Sequence, residues 1–158
     1  MSTNPTAPIR IGDPAPDFSL PDQHNHTISL SSLRGRPVVL YFYPRDHTRI
    51  CTAEACAFRD QMHEFESLNA VILGISSDSV ASHAEFARNN GIRFSLLADV
   101  GGVVRGLYGV PRTLGLLPGR VTYVIDASGV VRAVFSSQFQ ASKHVQEARE
   151  ALARLAQA

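Results

Sequence analysis

The chain has no tryptophan, only two cysteines and two methionines, and a single lysine, Lys143, among fifteen basic residues. Two thiols are too few for a disulfide-stapled secreted scaffold, and no four-ligand zinc pattern can be built from them. No run of about 18 apolar residues occurs, so no membrane span is expected. Neither sign of charge dominates, since 15 Lys+Arg against 14 Asp+Glu leave a formal net charge of +1. A nucleic-acid footprint needs a basic surplus, and none exists in total or in any long run. The first ten residues hold no basic segment followed by an apolar one, so a secretory leader is not expected and the cytoplasm is the expected location. In that reducing setting a close thiol pair is more often redox-active than structural. The excess of arginine over lysine reads as compositional bias.

What is present is enough for one core. Of 158 residues 44% are apolar, which points to one globular domain and excludes disorder of the whole chain. Residues 1–10 are polar, carry two prolines and read as a flexible N-terminal tail before a single domain over 11–158. Residues 11–20 and 27–30 flank the turn-rich Pro21-Asp22-Gln23-His24-Asn25, which predicts a small N-terminal β-hairpin. Residues 37–43 (PVVLYFY) form an unalternating apolar run, expected of a central strand covered on both faces.

Pro44 ends that run. Over residues 51–68, Cys51, Ala55, Phe58, Met62 and Phe65 share one side of a helical wheel, so one helix is expected, burying the side that carries Cys51. Residues 70–76 read as a second buried strand. A helix striped by Val80, Ala84 and Ala87 follows, with Asp78 as the expected cap and Gly91 as its end. Residues 93–98 read as a short strand, and Asp99 as the cap of a brief helix that breaks near Gly106. Residues 121–125 and 130–135 form strands about an Asp126-Ala127-Ser128-Gly129 turn. Over 143–156, Val145, Ala148, Leu152 and Leu155 line one helical face. The order predicts an α/β fold, a central mixed β-sheet flanked by helices on both faces.

The chemistry gathers around Cys51. A helix N-terminus exposes unpaired N–H groups and partial positive charge, so a thiolate in the first turn is stabilised, and thiolate is the reactive form. Arg49 supplies a nearby positive charge, and Thr48 a hydroxyl able to donate to the sulfur or to an oxygen bound beside it. The competing reading makes Cys51 a small apolar residue filling the core face of its helix.

The context of that cysteine weighs against the bland reading. Pro44-Arg45-Asp46-His47-Thr48-Arg49-Ile50-Cys51 resembles the Pro-x-x-x-Thr-x-x-Cys signature of peroxiredoxins. The stretch from Cys51 through Cys56 to Asp60 resembles the bacterioferritin-comigratory (PrxQ) branch, whose resolving cysteine lies five residues after the peroxidatic one. Residues 11–20 (IGDPAPDFSL) resemble the family's opening. Arg120-Val-Thr-Tyr-Val-Ile-Asp126 resembles its late strand with an active-site arginine.

The resemblance implies a thioredoxin-like fold and reduction of hydrogen peroxide or organic hydroperoxides, with Pro44, Thr48, Cys51, Cys56 and Arg120 in the site. Cys51 would become a sulfenic acid, and Cys56 would condense with it to an internal disulfide that thioredoxin or a similar dithiol protein reduces. No metal, flavin or haem is implied, and a monomer or weak dimer is expected. Arg49-Ile50 stands where the family usually has Pro-Gly. Because Ile50 is stiffer and bulkier than glycine, a less flexible loop and a narrower approach are expected.

Each remaining candidate has a bland reading beside the functional one. Arg120 is either a strand-end surface residue or a guanidinium holding thiolate and peroxide. Cys56 is either a buried helical thiol or the resolving one. Glu54 either pairs with an arginine or is a solvated first-turn carboxylate. The six histidines are scattered, and each reads as a surface or internally satisfied residue. Two other functions compete with the peroxidase: a thioredoxin-fold disulfide reductase, which would want Cys-x-x-Cys, and a non-enzymatic thiol/copper-binding module, which would want a closer thiol pair and a downstream histidine ligand.

Overall fold

The computed structural model describes residues 8–110, 112–113 and 117–157. An N-terminal hairpin pairs β1 (Ser19–Pro21) with β2 (Thr27–Ser29), and a 3-10 turn (Leu30–Leu33) leads into β3 (Val38–Phe42). Then come α1 (Arg49–Asp60), α2 (Met62–Ser67), β4 (Val71–Ser76), α3 (Val80–Asn90), β5 (Ser95–Ala98) and α4 (Val103–Leu107). A small pair, β6 (Arg112–Thr113) and β7 (Leu117–Pro118), precedes β8 (Val121–Ile125), β9 (Val131–Ser136) and α5 (Ala141–Ala156).

Five strands form the main sheet in the order β5-β4-β3-β8-β9. The pairs β3/β4 and β4/β5 are parallel, whereas β3/β8 and β8/β9 are antiparallel. This is the mixed sheet with helices on both faces that the element order implies. The predicted N-terminal hairpin is also present.

β3 explains why its sequence does not alternate. Val39 and Tyr41 face a core shared with α1, α2, α3 and α5, while Val38, Leu40 and Phe42 face a second core built from the N-terminal segment and α4. A strand covered on both faces needs apolar residues at both parities. Across the sheet edge, Gln23 of the hairpin turn donates Nε2 to Phe94 O (2.9 Å) and accepts from Leu96 N (2.9 Å). The side chain thus satisfies part of the edge strand β5. Ile9, within the stretch read as tail, donates its N–H to Tyr108 O at 3.2 Å and packs on the second core.

Several local expectations shift. The single helix over 51–68 is two, interrupted at Gln61 (φ −108°, ψ 11°), although the apolar stripe runs on through Phe65. Neither proline nor glycine marks that break. Ser79, not Asp78, caps α3, its Oγ accepting from Ser82 N at 3.1 Å. Asp78 is drawn away by Ser76 and by the backbone of Asp46. The buried stripe of α3 is His83, Phe86 and Ala87 rather than Val80, Ala84 and Ala87. Gly91 ends that helix in the left-handed conformation (φ 62°), as its position predicts. The N-cap of α4 is Gly102 and not Asp99, although the Asp99 carboxylate still accepts the Val104 and Arg105 N–H groups at 3.0 and 2.9 Å.

Candidate active site

Three segments of the main sheet's centre build the site. β3 delivers the loop 44–48, in which Pro44 has no N–H with which to continue the strand. α1 then starts at Arg49, so Cys51 is its third residue, inside the turn whose N–H groups lack helical partners. Its side chain is almost fully buried. β8 is preceded by Arg120, which is brought under the same helix because β3 and β8 pair.

Arg120 uses three of its donor directions. Nη2 donates to Cys51 Sγ (3.3 Å), Nη1 to Glu54 Oε1 (2.5 Å) and Nε to Gln138 O (3.0 Å). The guanidinium is buried, which opposes its charge, yet Glu54 and Cys51 hold its pKa above the ordinary arginine value. Arg120 is thus a buried residue in contact with the Cys51 sulfur and not a surface one, and Glu54 takes the arginine-paired alternative. A second arginine, which the sequence reading did not single out, ties the frame together. Arg105 Nη2 donates to Tyr43 O (2.7 Å) and Nη1 to Gly119 O (2.9 Å), bridging the residue before Pro44 to the one before Arg120.

Glu54 is fully buried, and burial pushes its pKa up to about 7 against the opposing pull of Arg120. Its Oε2 has no hydrogen-bond partner and lies 3.6 Å from His144 Nδ1. That approach is not an ion pair. Burial pushes the His144 pKa down to about 4, with Arg120 adding to the effect. Nε2 of the neutral ring donates to Ser137 O (2.7 Å), so Nδ1 is an acceptor and takes the Thr122 hydroxyl (2.7 Å). His144 is therefore an internally satisfied histidine, as expected, although a buried one.

Thr48 departs from its expected role. It caps α1 in extended conformation, but its hydroxyl donates to Arg45 O at 2.8 Å and not to the sulfur. Its lone pairs remain available to an incoming O–H. Arg49 is exposed at the first position of α1, and Ile50 is half-buried beside the sulfur's turn. Cys56 also lies on α1, half-buried, with Asn90 Oδ1 of α3 4.0 Å from its sulfur. Both cysteines are free. Five residues along a helix rise about 7.5 Å and turn about 140°, so the two thiols diverge in this reduced state.

A further group lies beneath the loop. Asp46, Asp78 and His83 bring ligand-type atoms within 4.8 Å of one another. These atoms are taken up by hydrogen bonds among themselves and from Tyr43, Ser76 and Ser82, so the arrangement reads as a polar network rather than a metal cage. No signal in the sequence joins Asp46 to His83 across 37 residues.

A buried cysteine at a helix N-terminus, under a guanidinium and on a thioredoxin-like sheet, defines a thiol-based redox enzyme. The chain belongs to the AhpC/TSA family, whose model matches residues 11–134. It is 49% identical over 148 residues to the chloroplastic peroxiredoxin Q of Oryza sativa subsp. japonica, covering 93% of this chain and 68% of that one. Among solved structures it superposes on peroxidoxin BcpB from Mycobacterium tuberculosis with a TM-score of 0.86 and 40% identity, over 93% of this chain and 98% of that one. It also superposes on the bacterioferritin comigratory protein of Xanthomonas campestris, described for its alkyl peroxide reduction activity (TM-score 0.77, 27% identity, 88% and 92% covered). The likeness to these relatives is that of a thiol-dependent peroxidase of the PrxQ type, and it does not favour the disulfide-reductase or copper-binding readings. No helix of the described residues is long and apolar enough to cross a membrane.

Proposed function

We propose that the chain reduces hydrogen peroxide and alkyl hydroperoxides through Cys51. The observation that carries this reading is the buried Cys51 sulfur held 3.3 Å from Arg120 Nη2 at the start of α1. The thiolate attacks one peroxide oxygen and the O–O bond breaks. Cys51 becomes a sulfenic acid, and the other oxygen leaves as alkoxide or hydroxide and takes up a proton. Arg120 and the free N–H groups of the first helical turn face the charge that develops on both oxygens. Thr48 accepts the hydrogen of the peroxide, since its own is spent on Arg45 O. Pro44 ends β3 and sets the direction in which the loop departs.

The Cys56 thiol then condenses with the sulfenic acid, forming the disulfide and releasing water. Thioredoxin, or another dithiol protein, reduces that disulfide by exchange and leaves oxidised itself. A cycle that returns to two free thiols needs a reducing compartment, and the cytoplasm is the one proposed. The relatives called chloroplastic carry that location in their own names.

The test is rapid-mixing consumption of hydrogen peroxide and tert-butyl hydroperoxide, with and without thioredoxin. Cys51→Ser should abolish the reaction, and Cys56→Ser should react once and then stall. Arg120→Ala should lose roughly 10²–10³ in rate, the usual cost of one transition-state donor. A protein that exchanges disulfides with thioredoxin but consumes no peroxide would overturn the proposal in favour of a disulfide reductase.

A further inference from the structure

The loop 44–48 is shaped against its own preferences. His47 has φ 65°, in the left-handed region that a residue with a Cβ adopts only at a cost. Something must hold the loop there, and the contacts converge on Asp46. Its N–H donates to Asp78 Oδ2 (2.8 Å), Tyr43 OH donates to Oδ1 (2.6 Å), and Ser82 Oγ donates to Oδ2 (2.8 Å). Burial pushes the Asp46 carboxyl up, but the hydrogen bond and charge of His83, with Tyr43 and Ser82, override it and hold the pKa below the ordinary carboxylate value.

His83 completes the set from α3. Its Nδ1 lies 2.6 Å from Asp46 Oδ2 and its Nε2 2.9 Å from Leu97 O. One ring nitrogen thus faces a carboxylate oxygen and the other a backbone carbonyl, so the ring is tied at both ends between the loop and β5. Both side chains are fully buried, so the contact between them is out of reach of water. Breaking such a pair from one side leaves an uncompensated buried charge.

We infer that His83 is a positioning residue: its buried pair with Asp46 anchors the loop that carries Thr48 and Cys51, and so sets the balance between the closed site and the unwound one. The inference rests on the peroxidase reading. Disulfide formation needs Cα atoms within about 7 Å, which an intact helix denies to residues five apart. The first turn of α1 therefore opens in each cycle. Asp46 is the fixed point just upstream of the opening segment, and α3 supplies the fixture. Peroxide reacts with the closed form, whereas Cys56 reaches the sulfenic acid only in the open form. Loosening the anchor therefore slows the first step and speeds the second.

The experiment compares wild type, His83→Gln, Tyr43→Phe and the double variant Asp46→Asn/His83→Gln. Sulfenic-acid formation and disulfide formation are followed separately by acid quench and mass measurement, because the chain has no tryptophan to report either. If the closed fraction drops to about a tenth, His83→Gln reduces peroxide roughly tenfold more slowly while forming the disulfide faster. Tyr43→Phe, which keeps the ring packing and loses one hydrogen bond to Asp46, gives the same opposed pair of changes at smaller size. The double variant, with no buried charge left unpaired, recovers part of the peroxide rate. Amide hydrogen exchange in the reduced protein adds a readout free of peroxide chemistry: His83→Gln should raise exchange at residues 49–52 relative to α5. Unchanged exchange there, or both chemical steps slowed together, overturns the inference. A wild type inert to peroxide would instead sink the peroxidase reading while leaving the exchange result to judge the anchor.

Discussion

Glu54 makes stability fall as pH rises through neutrality. Its carboxyl has a pKa of about 7 in the folded protein, against an ordinary value of 4.5, because burial disfavours the charged form more than Arg120 favours it. Between those two values the folded state binds the proton that the unfolded chain has released. The stabilising contribution of the protonated acid is thus complete below about pH 4.5 and is lost as pH climbs through 7. A gap of about 2.5 units corresponds to about 3 kcal/mol at 1.36 kcal/mol per unit. That loss is a large share of a domain's usual 5–15 kcal/mol. Glu54→Gln keeps the shape and an oxygen for Arg120 Nη1 but removes the titration. Urea unfolding of the reduced protein from pH 5 to pH 8 should show wild-type stability dropping by about 2–3 kcal/mol more than that of the variant. Parallel curves for the two proteins would refute the reasoning, and so would a wild type that gains stability relative to Glu54→Gln over that range.

Two other outcomes follow from named side chains. Ile50→Gly should widen the range of peroxides accepted and speed disulfide formation, since the loop gains freedom; equal rates with small and bulky peroxides in both proteins would show the residue to be neutral. Tyr41→Phe should raise stability by about 1 kcal/mol in thermal or urea unfolding, because the Tyr41 hydroxyl is buried with no hydrogen-bond partner, and a loss of stability would count against that.

The fold was largely legible because its strongest signals are local. An apolar run without alternation marks β3, Gly91 marks the end of α3, and the Asp126–Gly129 turn marks the β8/β9 hairpin, where Gly129 N closes on Asp126 O at 3.0 Å. The break at Gln61 was not legible, since the apolar stripe continues across it and no breaker residue stands there. The stripe of α3 departs from its expected residues because a histidine, polar by type, takes a core position once Asp46 and Leu97 O saturate its ring.

The site divides in the same way. Cys51 at a helix N-terminus follows from spacing, whereas Arg120 entered through a resemblance, since nothing local tells a strand-end arginine from a buried one. The Thr48 hydroxyl is expected to bond the sulfur, but the carbonyl three residues back takes its hydrogen. Arg105 and the Asp46–His83 pair depend on contacts between segments far apart in the chain, which no local pattern encodes.

Arg120 holds three partners, and only one of them has to leave. In the proposed cycle the first turn of α1 opens and Cys51 departs, but Gln138 O lies outside that turn and continues to fix Nε, and Glu54 lies in the next turn of the helix. The cation is thus the stator of the machine and the nucleophile its rotor. On that proposal the sulfur returning after reduction meets a socket already shaped and charged for it, so rearming would require winding one helical turn and no search for a partner.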